Sequence, residues 1–224
     1  MGSPRLHVEL REQGISCLRR RVARLMREMV LSPHRPRHRT RTTHNDPATQ
    51  VAANALNRQF TASRPNEKWT DVIKVIWTTK GWLYLATVLD VFSRRVIGWA
   101  MAARQDEQLV EKALRMALLQ RRPQASFLHH SDCGSQYTGQ HYQGLLAQCG
   151  ISVSISRKGI CYDNAVSEAF FGTLKRECVD HAHFQIRSQA RQAIFEYTEV
   201  FCNRIRRDSS LGYKSPVVYE TLMG

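Results

Sequence analysis

Residues 129–137 read HHSDCGSQY and residues 157–177 read RKGICYDNAVSEAFFGTLKRE, and the rest of the chain is best understood from these two segments. Asp132 follows a short apolar run and precedes Gly134, so the pattern predicts a strand that ends at this carboxylate, with a turn after it. Glu168 lies within a helical pattern, and thirty-five residues lie between the two carboxylates. Carboxylates from separate elements are typical of a metal-dependent phosphoryl-transfer site, in which two divalent ions contact the attacking and leaving oxygens.

Helix geometry separates two faces around Glu168. Lys175 lies seven positions further on, which at about 100° per residue is about 20° away on the same face. Phe170 and Leu174 lie on the other side, where they would pack against a sheet. Glu168 and Lys175 are therefore predicted to face one cleft. The alternative for this pair is a solvated helix face, and the alternative for Asp132 is a turn-forming aspartate.

β-Branched and aromatic residues dominate the chain after Trp69, and strand and helix patterns then alternate. The patterns predict strands at about 69–78, 82–90 and 94–102, one that ends at 132 and one at 151–155, and helices at about 106–120, 137–149, 163–180 and 187–206. Short turns make the first three strands antiparallel, and the later alternation makes the sheet mixed. The predicted fold class is α/β, with one mixed five-stranded sheet flanked by helices in a domain at residues 67–224.

Residues 1–31 predict a second, smaller unit. Two short helical patterns meet at Gly14, and Arg20, Arg24 and Arg27 form a basic stripe on the second one. This arrangement indicates part of a helix-turn-helix that binds DNA. A charged, solvated helix face is the alternative.

The charge of the chain indicates a polyanionic partner. With 33 Lys+Arg against 19 Asp+Glu, the net charge is +14 and the pI is about 10.0. Nucleic acid is the commonest partner of such a chain, whereas a basic protein that is merely soluble or lies on acidic lipid is the alternative. Residues 32–66 predict a basic linker, because SPHRPRHRTRTT at 32–43 has two prolines, four arginines and no apolar anchor.

Cysteine spacing and hydropathy exclude other classes of protein. The six cysteines include no CxxC pair and no Cys/His cluster at zinc spacing, so they predict reduced thiols, although counting alone leaves disulfides open. No apolar stretch approaches the roughly 20 residues that cross a bilayer, and the start of the chain lacks the apolar core of a signal peptide. The sequence predicts a cytoplasmic, nucleoid-associated protein with no membrane partner.

The chain resembles the integrase-type catalytic region of bacterial insertion-sequence transposases, the type encoded by a second open reading frame, in four stretches: GWLYLATVLDVFSRRVIGWAM, HSDCGSQY, SRKGICYDNAVSEAFFGTLKRE and NRIRRDSSLGYKSP. The resemblance implies a ribonuclease H-like fold, an Asp-Asp-Glu triad that binds two Mg²⁺ or Mn²⁺ ions, and strand cleavage and transfer at transposon ends. It also implies transposon-end and target DNA as substrates, a homo-multimer on DNA, and the product of an upstream reading frame as a further partner.

Residue by residue, the resemblance assigns the second Asp to Asp132 and the Glu to Glu168, in agreement with the helix and strand patterns. It also implies that Lys175 contacts DNA near the site. Further residues expected to seat DNA near the cleft are Arg157, Lys158 and Asn164. The predicted catalytic and metal-binding set is Asp71, Asp132 and Glu168.

Asp71 is out of register with the family pattern. The family usually places its first Asp after Trp-x-x, whereas here only one residue separates Asp71 from the Trp. In an alignment without gaps back from Gly81, Val72 occupies the catalytic position. A shift of one residue turns a side chain to the opposite face of a sheet, so either a β-bulge restores Asp71 to the site or this copy lacks a third ligand. Two smaller departures are Cys133, where the family has Arg, and Asp208, where it has His.

Three functional hypotheses follow. The first is a DNA transposase that acts by metal-assisted attack of water, and then of a 3′-hydroxyl, on phosphodiesters. The second is a catalytically impaired DNA-binding remnant that occupies transposon ends, which the register of Asp71 favours. The third is a stand-alone nuclease of the ribonuclease H type, which shares the carboxylates but does not need the basic N-terminal helices.

Overall fold

The computed structural model describes residues 2–31, 52–124, 126–157 and 160–224. Residues 32–51, which make up most of the predicted linker, lie outside the described residues. The division of the chain at residues 31 and 66 stays a prediction.

A mixed five-stranded sheet forms the centre of the fold, in the order β3-β2-β1-β4-β5. Its strands are β1 Lys68–Thr78, β2 Gly81–Asp90, β3 Val96–Ala102, β4 Leu128–Ser131 and β5 Ser152–Ile155. β2 is antiparallel to β1 and β3, whereas β4 is parallel to β1 and β5. The tight turn between β1 and β2 uses Gly81, whose φ of 102° favours glycine. The predicted strands and the mixed sheet are confirmed.

Eight α-helices occur in the described residues. They are α1 Ser3–Glu12, α2 Arg19–Glu28, α3 Glu107–Arg121, α4 Ser135–Thr138, α5 Gln140–Gln148, α6 Ala165–Leu174, α7 Arg187–Phe195 and α8 Pro216–Met223. Of these, α3, α5, α6 and α7 pack against the sheet. α6 and α7 continue as π-helical segments, Lys175–Val179 and Glu196–Cys202. The helices predicted at 163–180 and 187–206 are confirmed in position, although their last turns are not α-helical. The short helix α8 is not among the predicted elements.

Helices cover both faces of the sheet, and successive residues of β1 point to opposite faces. Trp69 and Ile73 pack on one side, in a hydrophobic cluster with α3 and α5. Val72 and Ile76 pack on the other side, in a second cluster with α6 and α7. Adjacent positions of β1 therefore belong to different layers of the protein.

α1 ends two residues before Gly14, which has a φ of 81°, and residues 13–18 connect it to α2. Val22 and Met26 of α2 are buried. The guanidinium of Arg207 donates to the carboxylate of Glu9 at 2.7 Å, which attaches α1 to the C-terminal part of the chain. None of the helices in the described residues has the length and apolar composition to cross a membrane.

Candidate active site

Asp132 and Glu168 come together at the carboxyl end of β4. Asp132 directly follows β4, and Glu168 lies in the first turn of α6. Both line one cleft together with Lys74 and Lys175. The fold thus brings together two of the three predicted carboxylates and the predicted lysine, whose functional roles stay predictions.

The charges in this cleft compensate one another. The ammonium Nζ of Lys74 donates to Oε1 of Glu168 at 2.6 Å. Burial raises the pKa of Asp132, a hydrogen bond from the backbone N–H of Gly134 and the charge of Lys74 oppose this rise, and the charge of Glu168 adds to it. Lys74 is therefore the local counter-charge of both carboxylates.

The side chain of Asp71 lies on the opposite face of the sheet. It is fully buried, and its two oxygens accept hydrogen bonds from the hydroxyls of Tyr137 and Tyr142, each at 3.1 Å. Burial is the main cause that raises the pKa of Asp71 to about 8, and the two tyrosine hydrogen bonds oppose it only in part. The prediction that Asp71 completes a metal site with Asp132 and Glu168 is wrong in its geometry, because α4 and α5 hold this carboxyl in the layer away from α6.

β1 contains no bulge that turns Asp71 back towards α6. Its pairing with β2 shows no register shift. At its other edge the pairing of β1 with β4 ends where Thr70 is level with His130, and Asp132 follows directly after the last residue of β4. Val72 packs in the cluster that contains α6. β1 is therefore paired with β2 without a bulge, and its residue that packs towards α6 at this level is the apolar Val72.

The residues of the cleft do not fit a two-metal site. Hard divalent ions take carboxylate oxygens and water as ligands, and two ions roughly 4 Å apart need several carboxylates between them. Of the three predicted ligands, the cleft holds Asp132 and Glu168, and the ammonium of Lys74 is bonded to Glu168. Among the described residues there is no group of three or more His, Cys, Asp or Glu that could hold a metal ion. This donor set does not match the predicted pair of Mg²⁺ or Mn²⁺ ions.

Arg157 and Asn164, two of the other residues expected to seat DNA, do not line the cleft. The guanidinium of Arg157 donates two hydrogen bonds to Asp163, each at 2.9 Å. Asn164 is buried, with its Nδ2 3.4 Å from the hydroxyl of Ser156. Neither side chain lines the cleft. Arg157 instead pairs with Asp163, whose buried carboxylate requires a cationic partner. Lys158 lies outside the described residues.

The sequence patterns do not predict a cluster of polar side chains around Asp163. Its buried carboxylate also accepts from Arg58 at 2.9 Å and from Asn54 at 2.8 Å. Hydrogen bonds from Arg157 and then from Arg58 hold the pKa of Asp163 well below its ordinary range, against the effect of burial. The cluster ties the segment before β1 to the turn that begins α6. Its partners lie more than a hundred residues apart in the chain, so no local pattern predicts it.

Lys74 is also absent from the predicted site residues, although strand alternation indicates where its side chain points. Lys74 is two residues after Val72, so strand alternation puts both side chains on one face. If Val72 occupies the catalytic position, Lys74 must point towards the same helix as Val72 does. A lysine directed into a carboxylate cleft is thus predictable once the register is known.

The arginine stripe of α2 lies apart from the cleft. Arg20, Arg24 and Arg27 are exposed, and no residue of α2 lines the cleft. Arg24 lies 3.5 Å from Glu28, an exposed ion pair of the kind that contributes little to stability. Arg5 of α1 does line the cleft. DNA binding by the α2 arginines stays a prediction.

Comparison with known proteins decides the family. Models of the integrase core domain match residues 62–161 and 168–222. The chain is 40% identical over 219 residues to the transposase for insertion sequence element IS904 of Lactococcus lactis subsp. lactis, which covers 98% of the chain and 87% of that protein. The chain belongs to the insertion-sequence transposases with an integrase core domain. It is also 44% identical to the insertion element IS600 uncharacterized 31 kDa protein of Shigella sonnei, over 97% of the chain and 80% of that protein.

A third relative is transposase InsF for insertion sequence IS3A of Escherichia coli K12, which is 41% identical over 98% of the chain and 76% of that protein. The resemblance stated from the sequence motifs is therefore confirmed. The chain is a member of the DDE-type transposases and integrases, which are polynucleotidyl transferases.

Solved structures share the fold at low sequence identity. A chain of the simian T-cell lymphotropic virus intasome in complex with PP2A regulatory subunit B56 gamma has a TM-score of 0.58 at 16% identity, over 79% of this chain and 60% of that chain. The HTLV-2 integrase catalytic core domain in complex with magnesium has a TM-score of 0.53 at 15% identity, over 70% and 97%. The catalytic domain of Mos1 mariner transposase has a TM-score of 0.51 at 12% identity, over 70% and 74%. The fold is the ribonuclease H-like fold of integrase and transposase catalytic cores, as predicted.

Proposed function

We propose that this chain binds insertion-sequence DNA as a transposase-family protein, and that metal-dependent strand cleavage and transfer are impaired in this copy. One observation carries the proposal: Val72, not Asp71, packs on the face of β1 that α6 covers, whereas Asp71 bonds to Tyr137 and Tyr142. Two-metal catalysis stabilises the attacking and leaving oxygens only if carboxylates hold both ions. The cleft holds Asp132 and Glu168 but not Asp71, so it lacks part of the predicted ligand set.

The charge of the chain supports the DNA-binding half of the proposal. The net charge is +14, and Lys175, Arg176 and Arg5 line the same cleft as the two carboxylates. Contacts from such side chains to phosphates supply sequence-independent affinity and position a duplex. Transposon ends and target DNA are the proposed ligands. A homo-multimer on DNA and the product of an upstream reading frame are the proposed protein partners.

An active transposase is the second candidate, and the convergence of Asp132, Glu168 and Lys175 on one cleft favours it. Activity would require Asp71 to take the place of Val72. A slip of β1 by one residue would achieve this, but it would also move every apolar side chain of the strand to the wrong layer. The buried side chains on both faces of β1 oppose that slip. A nuclease of the ribonuclease H type needs the same carboxylates and meets the same obstacle.

Strand transfer by the purified full chain tests the proposal. The substrate is a labelled duplex that carries the terminal repeat of the element, incubated with a target duplex and Mn²⁺ or Mg²⁺. The wild-type protein and an Asp132→Asn variant are both expected to bind the duplex and to yield no cleaved or joined product. A wild-type product that Asp132→Asn abolishes would overturn the impaired reading, and loss of duplex binding in both would overturn the DNA-binding reading. Product from an RNA–DNA hybrid alone would favour the nuclease.

A further inference from the structure

Three consecutive side chains on one face of β1 point towards α6. Thr70 Oγ1 lies 3.0 Å from the hydroxyl of Ser167, Val72 packs in the cluster that contains α6, and Lys74 bonds to Glu168. Of these three, Lys74 is the one that brings a charge to the cleft. Strand alternation directs the Lys74 side chain towards α6, and the ion pair with Glu168 holds its ammonium group.

The Lys74–Glu168 ion pair is protected from solvent. The side chains of Lys74 and Glu168 are only 26% and 16% exposed, and their charged atoms lie 2.6 Å apart. Asp132 lines the same cleft as Lys74, and the charge of this ammonium group opposes the pKa rise that burial causes at Asp132. Two neighbouring carboxylates repel each other unless a cation lies between them, and the attraction is stronger where water is partly excluded. The ammonium thus does for these carboxylates what a metal ion would otherwise do.

We propose that Lys74 is a built-in cation that takes the place of a divalent metal at Glu168, in the cleft that Asp132 also lines. A compact ammonium offers no open coordination position, and its positive charge repels a second cation from the same carboxylates. The missing carboxylate at position 72 leaves a divalent ion with fewer ligands, and the charge of Lys74 keeps the ion away from the two carboxylates that remain. This inference rests on the proposed function in that it concerns the same cleft, but its evidence is the ion pair of Lys74 and not the register of Val72.

Two substitutions separate the effect of the Lys74 charge on metal binding from the effect of the missing carboxylate. If Val72 were the whole obstacle, a Val72→Asp substitution would restore the donor set and with it the affinity for a divalent ion. If Lys74 is a resident cation, the new carboxylate would meet an ammonium group, and removal of that charge would be needed as well. Lys74→Met keeps the length of the side chain and removes the charge, whereas Lys74→Arg keeps the charge.

Binding of Mn²⁺ to the full chain without DNA tests the inference, with free Mn²⁺ followed by electron paramagnetic resonance and heats followed by calorimetry. In the wild-type background, Lys74→Met is expected to bind Mn²⁺ at least tenfold more tightly than the wild type or Lys74→Arg. In the Val72→Asp background, Lys74→Met is expected to bind at least tenfold more tightly than Val72→Asp alone. A Val72→Asn/Lys74→Met variant, which has the same shape without the third carboxylate, is the matched control and is expected to lose the second gain.

Each result decides the inference by itself. Equal Mn²⁺ affinity in wild type, Lys74→Met and Lys74→Arg would overturn it, as would tight binding by Val72→Asp with Lys74 present. The series in the wild-type background does not depend on the folding of variants with an acidic residue at 72, which circular dichroism checks independently. Because no DNA is present, failure of this inference is distinguishable from failure of the proposed function, which only strand transfer reports.

Discussion

Replacement of Asp71 by Asn is expected to change how the stability of the protein depends on pH. The structure encloses Asp71 completely, and the pKa of its carboxyl is raised from 3.8 to about 8. Below about pH 4 the folded and unfolded chains are both protonated at this residue. Between pH 4 and 8 only the folded chain keeps the proton, so stability falls as pH rises, and above pH 8 the full loss is present.

The size of the effect follows from the pKa shift. The shift from 3.8 to about 8 corresponds to a loss of about 6 kcal/mol at most, at about 1.4 kcal/mol per pH unit. That loss is comparable with the whole stability of an ordinary domain, about 5–15 kcal/mol. Asp71→Asn keeps the shape of the side chain and an oxygen for the tyrosine hydroxyls, but it cannot ionise. Its stability relative to wild type is therefore expected to rise steadily from pH 4 to pH 8 and then to level off.

Urea unfolding of both proteins at intervals from pH 4.5 to pH 9 measures this difference. His129 and His130, whose pKa values burial lowers to about 3 and about 4, titrate in both proteins, so their effects largely cancel in the difference. A difference that stays flat over this range, or that favours wild type at high pH, would refute the reasoning. Either result would mean that Asp71 is ionised in the folded protein, as expected of a carboxylate that faces a cationic site and not one enclosed by tyrosines.

Two further predictions concern the charged residues around the cleft. Asp163→Asn is expected to lower the melting temperature by about 3 °C or more at pH 7. Because the pKa of Asp163 is lowered, the loss is expected to shrink progressively as the pH falls below about 3.9, the ordinary pKa of Asp. Differential scanning calorimetry at pH 7 and at about pH 2 checks this, and an equal loss at both would contradict it. Lys175→Gln is expected to reduce the slope of log K against log salt for duplex DNA binding by about 1, as measured by fluorescence anisotropy. Arg157→Gln is the matched control and is expected to leave the slope unchanged, because Asp163 binds that guanidinium. An unchanged slope in Lys175→Gln would exclude Lys175 from the DNA interface.

Local patterns were sufficient for most of the fold. Alternation of apolar residues and the turn signals between them predict the five strands, and helical spacing predicts α3, α5, α6 and α7. These elements are predictable because their periodicity of burial is written into contiguous residues. The short α8 and the change from α- to π-helical geometry after Leu174 were not predicted, since packing of distant segments contributes to both.

Local patterns likewise predict some residues of the candidate site and not others. The strand end at Asp132 and the helix face shared by Glu168 and Lys175 follow from local geometry, and the structure brings all three to one cleft. The Asp163 cluster does not follow from it, because its ion pairs join segments more than a hundred residues apart. Long-range charge pairs depend on how elements pack, and one sequence contains no periodic signal for them.

The sequence by itself determined the family, the fold class and two carboxylates with their spacing, since short motifs and periodic burial suffice for these. It left open which residue of β1 faces Glu168, because an Asp one position out of register is compatible with a bulge or with a lost ligand. Only the tertiary structure decided this question. Continuous pairing of β1 with β2 directs Val72 and Lys74 towards α6 and Asp71 towards the two tyrosines. A period of two residues means that one position along a strand separates a side chain in the site from one on the far side of the sheet.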